Sequence, residues 1–276
     1  PHPMMNLSHT LRFAIIAAAC LAVASCATGS SETSYAPLTE EGVVPPPADS
    51  IARATQRPED VDCKVEPMRD YRPPTSASDE EVDPRLLSPG ESTAEAPDVF
   101  WAKFSTTKGP FVVEFERNWA PRGVDRIFNL IDIGYYDGAA FFRVIEDFMV
   151  QFGIHGNPRV NDVWKDAQLP DDPPRGSNER GMVSFAKSTQ PNSRTVQLFI
   201  NYADNHYLDS HGFTPVGRVV RCMGNVDALY SGYGESKPRG DGPAQAKIQS
   251  DGNAYLVDGF PKLDYIIRVE FLKPPE

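Results

Sequence analysis

The stretch FFRVIEDFMVQFG, residues 141–153, is apolar apart from four side chains, and two of these, Arg143 and Gln151, interrupt apolar runs. Between them, the acidic pair Glu146-Asp147 is placed to form a turn. The stretch therefore predicts two short strands joined by that turn. Because residues of equal parity share one face of a strand, Arg143 and Gln151 are predicted to reach one site from neighbouring strands.

The flanking sequence predicts a mainly β fold. Apolar residues alternate from Asp98 to Phe115 around a turn at residues 107–109, which indicates two antiparallel strands. Helices are predicted from Ala120-Pro121 to Gly134 and over residues 224–230. Further strands are predicted at 141–145, 148–153, 182–186, 197–201, 215–220 and 264–272. Many short strands with two helices favour a closed eight-stranded antiparallel barrel capped by two helices.

The remaining segments have the composition of irregular structure. Residues 27–97 hold eleven prolines among Ser, Thr, Glu and Asp, so we expect a disordered, flexible linker that spans about 45 to 50 Å. Residues 154–178 and 231–262 are rich in Gly, Pro, Asp and Asn, and we expect surface loops there. The chain of 276 residues is 40% hydrophobic, which is enough for one sizeable core. Its net charge of −11 disfavours nucleic acid as a partner.

The N-terminus is typical of an export signal. The apolar run FAIIAAACLAVAS, residues 13–25, follows Arg12 and is too short to span a bilayer comfortably. Its end, Val23-Ala24-Ser25-Cys26, resembles a bacterial lipobox, which implies that Cys26 is lipidated and becomes the new N-terminus. Ordinary cleavage after Ala24, which would release a soluble protein, is the alternative. The predicted organisation is a signal peptide at 1–25, a lipidated N-terminus and linker at 26–97, and a folded domain at 98–276.

Lipidation would place the protein in the cell envelope, attached to a membrane through its lipid anchor. Cys20 also follows small residues, but its apolar run would be only seven residues long. Ala27 is not an inner-membrane retention residue, so the outer membrane, facing the periplasm, is favoured for a Gram-negative source. Cys63 and Cys222 would then remain in an oxidising compartment, which predicts a disulfide between them. Two unrelated cysteines are the alternative.

Several blocks of the sequence, in the right order, resemble the cyclophilin family of peptidyl-prolyl isomerases. The opening stretch looks like the signature of this family, in which a strand Arg precedes a Phe-Met pair and a Gln. Two later blocks, MVSFAKSTQPNSRTVQLFIN at 182–201 and YLDSHGFTPVGRVV at 207–220, are similar to the blocks that follow it. With TTKGPFVVEFE at 106–116, the resemblance covers roughly residues 98–273.

This resemblance implies an enzyme that accelerates rotation about X-Pro peptide bonds, with proline-containing polypeptides as partners and no cofactor or metal. Arg143 would donate to the prolyl nitrogen and Gln151 would hold a substrate carbonyl as the catalytic pair. By the same resemblance, the substrate-binding residues are Phe148, Met149, Ala186, Gln197, Phe199, Tyr207, Leu208 and Phe213. We expect a monomer that assists the folding of exported proteins.

The sequence departs from the family pattern at three places. Tyr207 stands where many members carry Trp, which predicts weaker binding of cyclosporin without loss of catalysis. Phe213 stands where many carry His, with His211 two residues earlier. The run KSTQPNSRTV, residues 187–196, replaces a shorter Gly-Pro-Asn run, which bears on the preference for the residue before proline.

Other interpretations remain open at this point. Each apolar site residue taken alone fits a core position, and Arg143 could form a structural ion pair with Glu146 or Asp147. The spacings of His155, His206 and His211 match no metal-ligand set, so we expect surface histidines. Two other functions fit: a non-catalytic Pro-peptide-binding module or chaperone of the envelope, and a barrel that is only a structural headpiece for the tethered region.

Overall fold

The computed structural model describes residues 49–64, 66–68, 70–75 and 82–276. Eight strands form in this part of the chain, and each predicted strand is confirmed with its ends shifted by at most two residues. They are β1 Val99–Thr106, β2 Gly109–Glu116, β3 Arg143–Ile145, β4 Met149–Phe152, β5 Met182–Phe185, β6 Leu198–Asn201, β7 Pro215–Arg221 and β8 Ile266–Leu272. The α-helices are α1 Asp49–Ala52, α2 Pro121–Asp132, α3 Pro158–Trp164, α4 Met223–Asp227 and α5 Gln245–Gly259.

All eight strands belong to one antiparallel, strongly curled sheet. Its order is β3-β4-β6-β5-β7-β2-β1-β8. The residues just before β3 and β8 bring the two ends of this order together: Ala140 bridges Tyr265, Phe141 N donates to Asp264 O at 2.9 Å, and Ile266 N donates to Ala139 O at 2.9 Å. The barrel predicted from the sequence is thus closed by backbone hydrogen bonds.

The alternation in the sequence fills the barrel with aromatic side chains. In β1 the even-numbered residues are buried and the odd-numbered residues are half-buried. Phe100 stacks on Phe115, and Phe104 stacks on Phe111, each pair with ring centroids 4.9 Å apart. The helix α2 begins at Pro121 as predicted, because the missing N–H of proline costs nothing in the first turn. Its buried face packs on this core through Val124, Ile127, Phe128 and Ile131.

Two further helices lie in segments that we expected to be surface loops, so the prediction of irregular structure over 154–178 and 231–262 is wrong in part. The first of them, α3, begins after Asn157, whose side chain accepts from Arg159 N. Its last residue, Trp164, is fully buried and donates its indole N–H to Leu86 O at 2.8 Å. The second, α5, is interrupted at Gly252, which has a φ of 60°. Both helices are stabilised by burial against residues that are distant in the sequence. A local sequence pattern does not predict such contacts.

The described part of the N-terminal segment packs on the barrel, which differs from a freely flexible linker. Val61 is 2% exposed and clusters with Val112 and Leu272. Met68 N donates to Thr107 O at 3.0 Å, and Lys273 N donates to Gln56 O at 2.9 Å. Prolines begin three short 3-10 helices, Pro58–Asp60, Pro84–Leu87 and Pro89–Glu91. A few apolar side chains spaced along the segment thus bind it to the domain despite its proline-rich composition.

A disulfide joins this segment to the barrel. Cys63 and Cys222 are bonded, with Cα atoms 5.2 Å apart, which confirms the pairing predicted from the cysteine count. Cys222 has a φ of 63° and immediately precedes α4. Beside it, the side chain of Asn225 donates to Cys63 O at 3.2 Å and to Pro110 O at 2.7 Å. The disulfide and these bonds fix residue 63 against β2 and α4.

The predicted export signal and the lipidation site, Cys26, lie outside the described residues. Within the described ranges, no helix combines the length and the apolar character that crossing a bilayer requires.

The turn after α2 holds a carboxylate that stabilises the fold best when it is protonated. Burial raises the pKa of Asp137 from 3.8 to about 6, although Val269 N donates to its Oδ1 at 2.8 Å. Because the folded pKa lies above the unfolded pKa, the folded state binds the proton more tightly. Stability therefore falls as the pH rises from about 4 to about 6 and stays reduced above that window.

Asp137→Asn is expected to stabilise the protein at neutral pH by about 1 to 3 kcal/mol, since the amide keeps an acceptor for Val269 N without the buried charge. The measurement is urea unfolding of both proteins at pH 7 and at pH 4. At pH 4 the difference should become small. A stability difference that is the same at both values would contradict this account.

Candidate active site

Arg143 and Gln151 lie directly opposite each other on β3 and β4. The equal-parity prediction is therefore confirmed, and the guanidinium Nη1 donates to Gln151 Oε1 at 3.0 Å. Gln151 Nε2 in turn donates to Gln197 Oε1 at 2.9 Å. The three side chains form one hydrogen-bonded chain, so both groups of the proposed catalytic pair are oriented before any ligand binds.

An apolar cluster adjoins this chain of polar groups. Met149, Phe199 and Leu208 are its buried members. Phe199 lies opposite Gln151 on the β4–β6 ladder, and Met149 follows the hairpin turn. Half-buried residues surround them: Phe148, Ala186, Tyr207 and Phe213. The structure thus brings together all the substrate-binding residues that the resemblance implies, with Gln197 beside them. Apolar walls next to fixed donors suit a ring with a neighbouring carbonyl, such as proline in a peptide.

A 3-10 helix, His206–His211, carries Tyr207 and Leu208 to the cluster. It ends at Gly212, whose φ of 75° favours glycine. The ring of Tyr207 stacks on Phe148 with centroids 6.4 Å apart, and Phe213 meets Phe199 edge-on at 5.8 Å. One aromatic pair thus lies at the edge of the cluster, and the other packs Phe213 against its buried member Phe199.

Polar residues that the sequence did not single out hold this short helix in place. Asn205 donates its amide to Phe148 O at 2.9 Å and to Asn201 Oδ1 at 2.8 Å. Asn178 donates its amide to Phe213 O at 2.7 Å and to Asp209 Oδ1 at 2.8 Å. Burial alone would raise the pKa of Asp209, but the hydrogen bonds from Ser177 and Asn178 outweigh it and lower that pKa. Asn178 and Asn205 lie outside the helices and strands, where the sequence shows no periodicity, so no pattern predicted their role.

Arg143 forms an ion pair with a residue distant in sequence. Glu235 Oε2 accepts from Arg143 Nε at 2.9 Å and from Nη2 at 2.6 Å. The alternative that Arg143 pairs with Glu146 or Asp147 is replaced by this contact, and Glu146 instead accepts from Ser231 Oγ at 2.7 Å. Arg143 nevertheless remains beside the cluster, 5.9 Å from the centre of the Phe148 ring. No pattern in the sequence predicted that Glu235 would lie at this site.

A cavity of about 520 Å³ extends the site past Phe148 and Tyr207. It lies between the β3–β4 turn and the loop after α4. Its lining residues are Val144, Ile145, Glu146, Asp147, Phe148, Asn205, Tyr207, Ser231, Gly232, Gly234, Glu235 and Arg239. The cavity has room for peptide chain that continues beyond the apolar cluster, and we call the cluster and the cavity together the groove.

The histidines do not gather at the site. His206 and His211 are exposed, as expected, but the ring of His155 packs against Tyr135 at 5.3 Å. His155 is half-buried, so the prediction of a surface histidine is only partly correct there, and burial lowers the pKa of its ring to about 4. Within the described ranges, no three side chains among His, Cys, Asp and Glu are grouped so that they could hold a metal ion.

The sequence is similar to those of known peptidyl-prolyl isomerases. The sequence profile described as "Cyclophilin type peptidyl-prolyl cis-trans isomerase/CLD" matches residues 101–250. A peptidyl-prolyl cis-trans isomerase of Streptomyces antibioticus is 32% identical over 155 residues, which cover 53% of this chain and 93% of that protein. A probable peptidyl-prolyl cis-trans isomerase of Brucella abortus is 35% identical over 134 residues, which cover 45% and 68%.

Among solved structures, a cyclophilin-type isomerase of Cryptosporidium parvum is 18% identical, with a TM-score of 0.48 over 64% of this chain and 99% of that one. A cyclophilin from Hirschia baltica is also 18% identical, with a TM-score of 0.46 over 64% and 75%. The profile match and the relatives show that the chain belongs to the cyclophilin family. It is a peptidyl-prolyl cis-trans isomerase, whose substrates are proline-containing peptides.

Proposed function

We propose that this isomerase accelerates X-Pro isomerisation in the folding of exported proteins of the cell envelope, with Arg143 and Gln151 as its catalytic residues. The observation that carries the assignment of residues is the contact between Arg143 and Gln151 beside the buried Met149. A fixed donor next to an apolar pocket is the arrangement that the reaction needs.

Rotation about the X-Pro bond is slow because the C–N bond has partial double-bond character, with a barrier of about 18 to 20 kcal/mol. An apolar pocket formed by Met149, Phe199 and Leu208 disfavours the charge-separated resonance form of the amide. In the twisted state the prolyl nitrogen regains its lone pair and becomes a better acceptor. A donor N–H of Arg143 that reaches this nitrogen therefore stabilises the transition state more than the ground state.

Gln151 and Gln197 supply the remaining polar contacts. With its Nε2 directed to Gln197 and its Oε1 to Arg143, Gln151 is held in one orientation. In the proposed complex it shifts one donor to a substrate carbonyl, which fixes the peptide while the bond rotates. No covalent bond is made or broken in this reaction, so neither a nucleophile nor a general base is needed.

The N-terminal sequence supports the envelope location. The short apolar run before Cys26 is typical of export, and the residues before this cysteine resemble a lipobox. The Cys63–Cys222 bond is consistent with this, because disulfides persist mainly in oxidising compartments. We propose a monomer anchored by lipid in the outer membrane and facing the periplasm, where it meets newly exported chains.

Cys26→Ser is expected to move the protein from the membrane fraction to the soluble periplasmic fraction, because it removes the proposed acyl attachment. The measurement is fractionation of cells that express the full chain, together with radiolabelled palmitate incorporation. Cys20→Ser is the matched control and should remain membrane-bound and labelled. A Cys26→Ser protein that stays labelled and membrane-bound would contradict lipidation at this cysteine.

A further inference from the structure

One loop brings a carboxylate to the proposed catalytic arginine. Residues 230–242 follow α4 and carry Glu235, whose Oε2 accepts from both Nε and Nη2 of Arg143. The two side chains are 12% and 10% exposed. Water and salt screen a pair at this depth only weakly. Two N–H groups on one edge of the guanidinium share a single carboxylate oxygen, which restrains that edge more than one hydrogen bond would.

The loop also fixes Glu235 itself. The second carboxylate oxygen, Oε1, accepts from Ser236 N at 2.9 Å. The loop then returns, with Gly242 N donating to Glu235 O at 2.9 Å. At Gly240 the chain passes so close that a Cβ would overlap the backbone of Glu235, so only glycine fits this position. Glu235 is therefore held at a set position next to the active site.

Arg143 has five N–H donors. Three of them bind acceptors of the protein, and two remain for a bound peptide. Glu235 takes Nε–H and one N–H of Nη2, and Gln151 takes one N–H of Nη1. Each terminal nitrogen keeps one more N–H. In the described part of the chain, the further acceptor next to these groups is the weak one, Met149 Sδ, 4.0 Å from Nη1. The donors that remain belong to the end of the guanidinium beside the apolar cluster.

We propose that Glu235 is a positioning residue that holds the guanidinium of Arg143 so that its terminal N–H groups meet the prolyl nitrogen of the bound peptide. This inference rests on the proposed role of Arg143. A buried guanidinium without an anion turns toward water, because isolated charges are poorly solvated inside a protein. Gln151 contacts only Nη1 and leaves the plane of the group free to rotate.

The test uses the full chain and a protease-coupled assay on a short X-Pro peptide. Glu235→Ala should lower kcat about 10- to 100-fold, with KM within about threefold of the wild type, because the proline pocket is unchanged. Glu235→Gln keeps an acceptor oxygen and should retain part of the lost rate. Asp241→Asn, an acid-to-amide change in the same loop, is the control and should have wild-type kcat.

A double-mutant cycle separates positioning from a merely structural role. In an Arg143→Ala background, Glu235→Ala should change kcat less than about twofold, since Glu235 acts through the guanidinium. A further large loss in that background would overturn the inference, as would a Glu235→Ala enzyme that is as fast as the wild type or faster. If Glu235→Ala does not fold, Glu235→Gln decides by the same criteria. An Arg143→Ala enzyme as active as the wild type would overturn the proposed role of Arg143 itself, which distinguishes the two failures.

Discussion

Replacing Arg143 with Ala is expected to lower kcat/KM about 100- to 1000-fold, as is typical when one transition-state donor is removed. The guanidinium is the only cation that touches both Gln151 and the apolar cluster in the described part of the chain. Its N–H groups are proposed to act mainly when the prolyl nitrogen regains its lone pair, so the loss should fall on kcat. The measurement is the protease-coupled assay on an X-Pro peptide.

Arg218→Ala is the matched control for this substitution. Arg218 is 52% exposed on β7, and its guanidinium pairs with Glu114 at 2.7 Å, so the same change is made outside the groove. Activity within about twofold of the wild type is expected, since exposed ion pairs contribute little. If Arg143→Ala and Arg218→Ala were equally active, Arg143 would not be the catalytic donor.

The double substitution Cys63→Ser, Cys222→Ser is expected to lower the free energy of unfolding by about 2 to 5 kcal/mol. The two cysteines are 159 residues apart, so their bond restricts a very long loop of the unfolded chain. In the folded state the bond also keeps Val61 in its cluster with Val112 and Leu272. The measurement is urea unfolding under non-reducing conditions.

Reductant supplies the control for this second experiment. Wild-type protein with its disulfide reduced should unfold at nearly the urea concentration of the double variant, and the double variant should not respond to reductant. Residues near Val61 should also exchange their amide hydrogens faster once the bond is gone. If the oxidised and reduced wild-type proteins had the same free energy of unfolding, the disulfide would not stabilise the fold.

The strands could be predicted from the sequence because their pattern is local. Alternation from Phe100 to Phe104 in β1 indicates a strand that is buried on one face, and that face lines the barrel. The same parity rule predicted that Arg143 and Gln151 reach one site, and the structure places them directly opposite each other, since only a short turn separates β3 from β4. The cysteine count predicted the Cys63–Cys222 bond without any geometry, because few partners were available.

The packing of the proline-rich segment and the formation of helix α3 could not be predicted from local sequence patterns. Trp164 is buried because Leu86, 78 residues earlier, accepts its indole N–H. Val61 is buried against Val112 of β2 and Leu272 of β8, two strands that lie on either side of β1. Composition averages over such isolated residues and therefore predicted a flexible chain. A few apolar anchors are enough when a finished barrel provides the surface that they cover.

The sequence by itself determined the barrel and the pair Arg143–Gln151, because residues close in the chain are restricted to few relative positions. Only the tertiary structure decided which carboxylate meets the guanidinium. Glu235 is 92 residues from Arg143, and it reaches the site because barrel closure sets where the loop after α4 lies. At that separation, the sequence around an acidic residue does not indicate which arginine it will pair with. The pairing of Glu235 with Arg143 therefore depends on the tertiary structure.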